Sequence, residues 1–204
     1  FEDLTTGSWW QQATGKAITG PLKGKQLSEF PSQQLTLAAW LANYPDSKIM
    51  QPDTIFAKKY KSLADYDHGT MESSLEKRDP ASWKFKSWVV GIDDGKTSKA
   101  YDWNQMMAER MIQDTIPGTA ILLTLANDTT SFYVLNRKSA GVTLAFSKDS
   151  TGTQLLDIQS NSVWNYSGKC LEGTMQGTQL ATIQSYQEFW HSWQTFHPRT
   201  LTYK

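Results

Sequence analysis

Three residue types recur together at two places in the chain. Asp3, Ser8 and Trp10 stand near its start, and Asp157, Ser162 and Trp164 stand in the same order further on. A carboxylate can serve as a general base, a hydroxyl can position a polar group, and an indole offers one N–H donor and a flat ring. Gln12 adds an amide beside the first set. If both sets faced one cleft, Asp157 would be the candidate base, with Ser8 or Ser162 as a polar contact, and the protein would be an enzyme with its site between two lobes. The plainer reading is local. Asp and Ser bond their own backbone in turns, so they recur wherever a turn recurs. Two Asp side chains meeting in one cleft would favour chemistry. Two separate turns would favour structure.

Other chemistry is thinly represented. The chain contains no Gly-x-Ser-x-Gly, no His-Glu-x-x-His and no cysteine pair. His68 lies beside Asp67 and Gly69, but no second metal ligand follows at a recognisable spacing, so a turn residue is the better reading. Met106, Met107 and Met111 could attract a soft metal, yet their helical spacing suits core filling. Nothing in the sequence calls for a cofactor or a metal. On this absence the first functional reading is a non-catalytic binding or structural module, with the enzyme as the alternative.

The two sets belong to a longer repeat. From Thr14 to Pro45 the chain aligns without a gap on 167–198. Gly15, Lys16, Gly20, Gly24, Gln26, Leu27, Ser32, Gln34, Trp40 and Pro45 meet identical residues 153 positions later. Dropping one residue near Ala13 brings Asp3, Ser8 and Trp10 onto Asp157, Ser162 and Trp164. Each copy reads as strand, glycine turns and helix. Glycines at matched spacing indicate tight turns, and the residues after the last one (KQL and TQL) read as strand rather than the helix start a phosphate loop needs.

The elements that would position these residues follow from pattern. In the second copy, Ser185 and Glu188 form a capping box, and Tyr186, Phe189, Trp190, Trp193 and Phe196 or His197 mark one face of a helix that Pro198 stops. Leu37, Trp40, Leu41 and Tyr44 repeat that spacing in the first copy. These aromatic stripes suit packing on the lobe's own sheet better than stacking on a ligand. Between the copies, 87–92 and 98–101 read as a hairpin around Asp93-Asp94-Gly95. Asp102 caps a helix whose inner face is Trp103, Met106, Met107 and Met111 and which Pro117-Gly118 ends. Strands follow at 120–126, 131–135, 142–146 and 154–158. The expected fold class is α+β: mainly antiparallel sheet with a few helices, in two related lobes, the first incomplete. The expected organisation is 1–50 as the end of the first lobe, 51–82 as a charged connector whose tyrosines and Phe56 lie across a surface, and 83–204 as the second lobe.

Composition sets limits. Twenty Lys and Arg balance twenty Asp and Glu, which argues against a general nucleic-acid binder. No apolar run approaches a membrane span. The partner class left open is an unidentified small molecule or protein. Nine Trp in 204 residues point first to packing. Cys170 faces Ala17 in the repeat, so it reads as packed and inert.

The strings TGSWWQQATGKAITGPLKGKQL, YPDSK, the DP before WVVGI, SVWNYSGKCLEGTMQGTQL and FWHSWQTFHPRT, in this order, resemble the bacterial domain of unknown function numbered 3179. The resemblance covers most of the chain. It implies two repeated lobes and a periplasmic or extracellular location, and it implies no activity. Members carry strands and a C-P-x-C segment upstream of the first D-x-x-T-G-S-W string, so the resemblance also implies that this chain is part of a longer protein. The expectation for Phe1, Leu4, Trp9 and Trp10 is that they lean on the second lobe, the favoured reading, or else lie at a contact with another chain.

Overall fold

A computed structural model describes residues 1–30, 32–59, 68–70 and 77–204. The first copy supplies β1 (Trp9–Gln11) and β2 (Lys16–Thr19), an antiparallel pair, then α1 (Leu37–Asn43). Thr36 caps α1 by accepting from the Ala39 N–H. A 3-10 turn follows at Thr54–Lys59. Tyr60, Tyr66 and Asp67, invoked above for the connector and the Asp-His pair, lie outside the described residues. His68 is exposed in a turn.

The next strands are β3 (Trp88–Asp93) and β4 (Ser98–Asp102), joined by the expected Asp93-Asp94-Gly95 hairpin, then α2 (Trp103–Glu109). Asp102 caps α2 through the Gln105 N–H. This helix is shorter than its pattern suggests. Arg110 takes a left-handed conformation and ends it, so Met111 opens β5 (Met111–Ile116) instead of extending the helical face, and Met107 is exposed. Pro117-Gly118 is therefore the hairpin turn into β6 (Thr119–Leu125), which pairs with β7 (Phe132–Asn136).

A small pair, β8 (Lys138–Ser139) and β9 (Val142–Thr143), precedes β10 (Phe146–Lys148), β11 (Leu155–Asp157), β12 (Val163–Trp164) and β13 (Cys170–Glu172), which form one antiparallel sheet in that order. The chain ends with β14 (Tyr186–Phe189), α3 (Trp190–Phe196) and β15 (Leu201–Thr202). Strand order in their sheet is β14-β3-β4-β15. The capping box is corrected here. Residues 186–189 are a strand paired with β3, Phe189 occupies the cap position, and no side chain caps α3. Cross-strand pairing with β3 overrides the local helix-start signal.

Core layers lie on both faces of β6 and β7. Ile121, Leu123, Leu125 and Val134 face Val90, Ile92, Trp103 and Met106. Leu122, Tyr133 and Leu135 face Phe146, Leu155, Trp164 and Leu180. That two-sided burial explains the continuous apolar run in β6. A third cluster sets Trp193 on Val89 and Ala100, across β3 and β4. With three helices and several antiparallel sheets among the described residues, the fold is α+β.

The two aromatic stripes have different fates. Trp193 is fully buried, whereas α1 buries no residue and Trp40 is 37% exposed. The expectation for the N-terminal residues is also corrected. Trp10 is buried, but Phe1, Leu4 and Trp9 are exposed rather than leaning on the rest of the chain.

Candidate functional site

Each Asp/Ser/Trp set closes on itself. In the second copy, Asp157 and Ser162 flank a turn in which the Asp157 N–H donates to the Ser162 carbonyl and the Asn161 N–H to the Asp157 carbonyl. The Asp157 carboxylate accepts from the Ser160 N–H at 2.6 Å, the Ser160 hydroxyl at 2.7 Å and the Trp164 indole N–H at 2.8 Å. The Ser160 hydroxyl also lies 2.7 Å from Ser162 Oγ, and that oxygen accepts the Met175 N–H at 3.2 Å. Asp157, Ser162 and Trp164 are all fully buried. Burial pushes the Asp157 carboxyl up, but the bonds from Ser160 and Trp164 outweigh it and leave it below the usual range.

The first copy makes the same bonds. The Asp3 carboxylate accepts from the Thr6 N–H at 2.7 Å, the Thr6 hydroxyl at 2.6 Å and the Trp10 indole at 3.1 Å. Thr6 Oγ1 lies 2.8 Å from Ser8 Oγ, which accepts the Leu22 N–H at 3.0 Å. The Thr6 hydroxyl, the Trp10 indole and the Thr6 N–H hold the Asp3 carboxyl at about 2. Gly7 and Asn161 both take the left-handed backbone that each turn requires. Gly20 and Gly173 are pressed against the two serines. A Cβ on either would lie within 2.6 Å of Ser8 Cα or Ser162 Oγ.

Asp3, Ser8 and Trp10 are thus brought together, and so are Asp157, Ser162 and Trp164. Among the described residues no hydrogen bond joins one set to the other. Gln12 belongs to neither network. It is exposed and lines a cleft. Chemically, each carboxylate ties an indole, a hydroxyl and a backbone N–H into one turn, and its oxygens are engaged there.

Two clefts lie elsewhere. The first, about 800 Å³, runs between the N-terminal end of α1 and β14, with Trp88, Trp103 and Phe189 as aromatic walls. Arg78 lies over the Trp88 ring at 4.8 Å and bonds Asn104 Oδ1. Burial lowers its pKa and the charge of Asp102 partly restores it. Arg78 Nε and Asp102 Oδ1 are both buried without a hydrogen bond, so the guanidinium is held by its Asn104 bond, the Trp88 ring and the charge of Asp102. The second cleft, about 1020 Å³, lies between the Gln12–Lys16 and Gln26–Glu29 stretches on one side and Tyr186, Phe196, His197 and the Asp93–Gly95 turn on the other. His197 Nδ1 pairs with Asp93 Oδ2 at 3.1 Å, and its ring stacks on Trp193 at 3.8 Å. Sequence reasoning found only Gln12 of these lining residues as a site candidate. The others come from segments far apart in the chain, each with an ordinary local role. Among the described residues no group of three or more His, Cys, Asp or Glu is placed to hold a metal.

Comparison with known proteins gives a family and nothing more specific. No curated protein and no solved structure matches the chain. No helix among the described residues is long and apolar enough to cross a membrane. The family described as "Protein of unknown function (DUF3179)" matches residues 2–200, and with nearly the whole chain covered in a single match, the chain belongs to that family.

Proposed function

We propose that the chain is a binding or structural module of a bacterial, extracytoplasmic protein, and that it contains two copies of one unit. The proposed division is a first lobe ending at residue 50, a connector over 51–82 and a second lobe over 83–204. The carrying observation is the inward closure of both Asp/Ser/Trp sets. A catalytic carboxylate needs a lone pair directed at substrate, and these two direct theirs at their own turns. The repeated residues act as clamps that fix where the second strand returns.

The reading of two copies draws support from positions outside the clamps. The N–H of Tyr44 bonds the Trp40 carbonyl, and the N–H of His197 bonds the Trp193 carbonyl. The Trp40 indole donates to Ser47 at 2.8 Å, and the Trp193 indole to Thr200 at 2.8 Å. The copies also meet through matched residues. Gln34 bonds its own counterpart Gln187 at 3.0 Å. Gln33 bonds Thr182 at 3.2 Å, and their counterparts Tyr186 and Glu29 bond each other at 3.2 Å. Residue i meeting j while the mate of i meets the mate of j is the signature of a two-fold contact. The local axis passes by the Gln34–Gln187 pair.

Asp157→Ala tests the clamp role. It leaves a buried indole N–H and a turn N–H without an acceptor, at about 1–3 kcal/mol for a buried donor. The expected loss is about 2–4 kcal/mol of stability in a urea titration. A variant as stable as the parent would argue that the carboxylate is kept for something other than the turn. The extracytoplasmic placement follows the family resemblance, and fractionation of cells expressing the natural gene tests it.

A further inference from the structure

The loop over 79–87, which leads into β3, carries an aromatic and cationic patch. Phe85 is 69% exposed. Its ring stacks on His191 at 4.0 Å, and His191 stacks in turn on Phe189 at 5.9 Å. Beside this row, Trp83 meets Trp190 edge-on at 5.0 Å. Both indoles are partly buried against the Trp193 cluster, so the patch has a fixed base. Lys84 is exposed, and its ammonium has no hydrogen bond or ion pair among the described residues. Lys86 lies over the Phe189 ring at 5.9 Å. From 77 to 87 the chain sets Lys77, Arg78, Lys84 and Lys86 against Asp79 alone. Glu188, the acidic residue next to Phe189 in β14, lines the two clefts.

The loop is closed on itself. The Asp79 N–H donates to the Lys86 carbonyl at 3.1 Å, and the Ser87 N–H to the Lys84 carbonyl at 3.0 Å. The Lys84 N–H donates to Ser87 Oγ at 2.7 Å, and that buried hydroxyl donates to the Ala81 carbonyl. From the start of α3, the Trp190 N–H reaches the Ser87 carbonyl at 2.8 Å. The His191 N–H and ring Nδ1 reach the Phe85 carbonyl at 3.0 and 2.8 Å. These bonds hold Trp83 at φ 59°, a left-handed conformation that a bulky residue rarely takes. Strain that the surroundings keep in place gathers at segments that bind. Here it accompanies an apolar ring presented to solvent on a rigid support.

Partners differ in what they need from such a patch. An added peptide strand needs a free backbone edge, and this loop turns its N–H and carbonyl groups on itself and on α3. A small molecule or short glycan needs a concave site, and no residue of 79–87 lines either cleft. A bilayer needs projecting aromatic rings flanked by cations on flexible stems, and those are present. We infer that this loop is a docking surface for an anionic bilayer. Phe85 enters the interfacial layer, Trp83 and Trp190 lie behind it at headgroup level, and Lys84 meets lipid phosphate with its stem along the apolar surface. The lysines on either side add to the attraction, each cation near such a surface contributing about a fivefold gain in binding. None of this depends on the two-copy reading.

The test sediments the 204-residue chain with vesicles of phosphatidylglycerol and phosphatidylcholine in equal parts, or of phosphatidylcholine alone, at about 50 mM salt. A partition coefficient on the order of 10³ M⁻¹ is expected on the anionic vesicles, below that of one acyl chain, and at least about fivefold less on the neutral ones. Lys84→Ala should lower binding to the anionic vesicles about fivefold. Phe85→Ala should lower it about fivefold or more. Ile158→Ala removes an apolar side chain that is 64% exposed elsewhere, and should leave binding unchanged. All three variants should keep the parent's circular-dichroism spectrum. Three results would each overturn the inference: no sedimentation with the anionic vesicles, equal sedimentation with both compositions, or losses for Lys84→Ala and Phe85→Ala no larger than for Ile158→Ala. The clamp role is tested separately by Asp157→Ala, whose outcome these results do not touch.

Discussion

Gly91 and Trp193 make a sharply testable contact. Gly91 is in β3 with ordinary strand backbone, so it is required for space and not for conformation. A Cβ there would lie 2.2, 2.3 and 2.5 Å from three atoms of the Trp193 ring. The ring is fully buried, held by its indole bond to Thr200 and by the His197 ring stacked on it, so it has little room to retreat. Gly91→Ala should therefore cost about 1–3 kcal/mol by overpacking. Trp193→Ala should cost about 3–5 kcal/mol by loss of buried area and the cavity left behind. The double variant decides the matter. With the ring gone, the added methyl has space, and Gly91→Ala in the Trp193→Ala background should change stability by less than about 0.5 kcal/mol. Trp40→Ala is the internal comparison. Its ring is 37% exposed, so about 1–2 kcal/mol is expected from the area still buried. Urea titration by circular dichroism gives all these values without relying on the altered Trp as a probe. Additive losses at Gly91 and Trp193, or a Trp40→Ala loss as large as that of Trp193→Ala, would refute the reasoning.

Two further outcomes follow. Burial raises the Cys170 thiol above its ordinary value and the residue is 1% exposed, so a thiol reagent should label it only when denaturant is added. Prompt labelling of the native protein would contradict its packing against Trp164 and Leu180. The folded protein holds both the Asp3 and the Asp157 carboxyl below the ordinary aspartate value. Their contribution to stability is therefore complete above that value and is lost as pH falls through the folded one, about 2 for Asp3. Urea midpoints measured from pH 7 to 2.5 should decline below about pH 4, and a midpoint that rose on acidification would contradict the clamps.

The turns were the most legible part of the chain. Matched glycines, a matched Asp/Ser pair and a matched Trp are local devices, and local devices leave a pattern in sequence. The Asp102 cap and the Asp93-Asp94-Gly95 hairpin were readable for the same reason. The start of α3 was not. Ser185 and Glu188 satisfy the spacing of a capping box, yet the four residues from Tyr186 are claimed by β3, some hundred positions away, and no local signal carries that pairing. Nor could the sequence tell that Trp40 and Trp193, equal in spacing, would differ in burial, because the difference lies in β3 and β4 beneath one of them. The clefts were illegible on the same grounds. Arg78, Trp88 and Phe189 converge through sheet order, and each looks ordinary in its own segment.

The most direct test of the central claim is the set of indole N–H signals in a proton–nitrogen correlation spectrum of the parent, Asp3→Asn and Asp157→Asn chains. Two independent turn clamps predict that Asp3→Asn moves the Trp10 indole signal and leaves that of Trp164 in place, while Asp157→Asn moves Trp164 and leaves Trp10 in place. Either substitution moving both signals would mean that the two carboxylates share one site, and the account of them as separate structural clamps would fall.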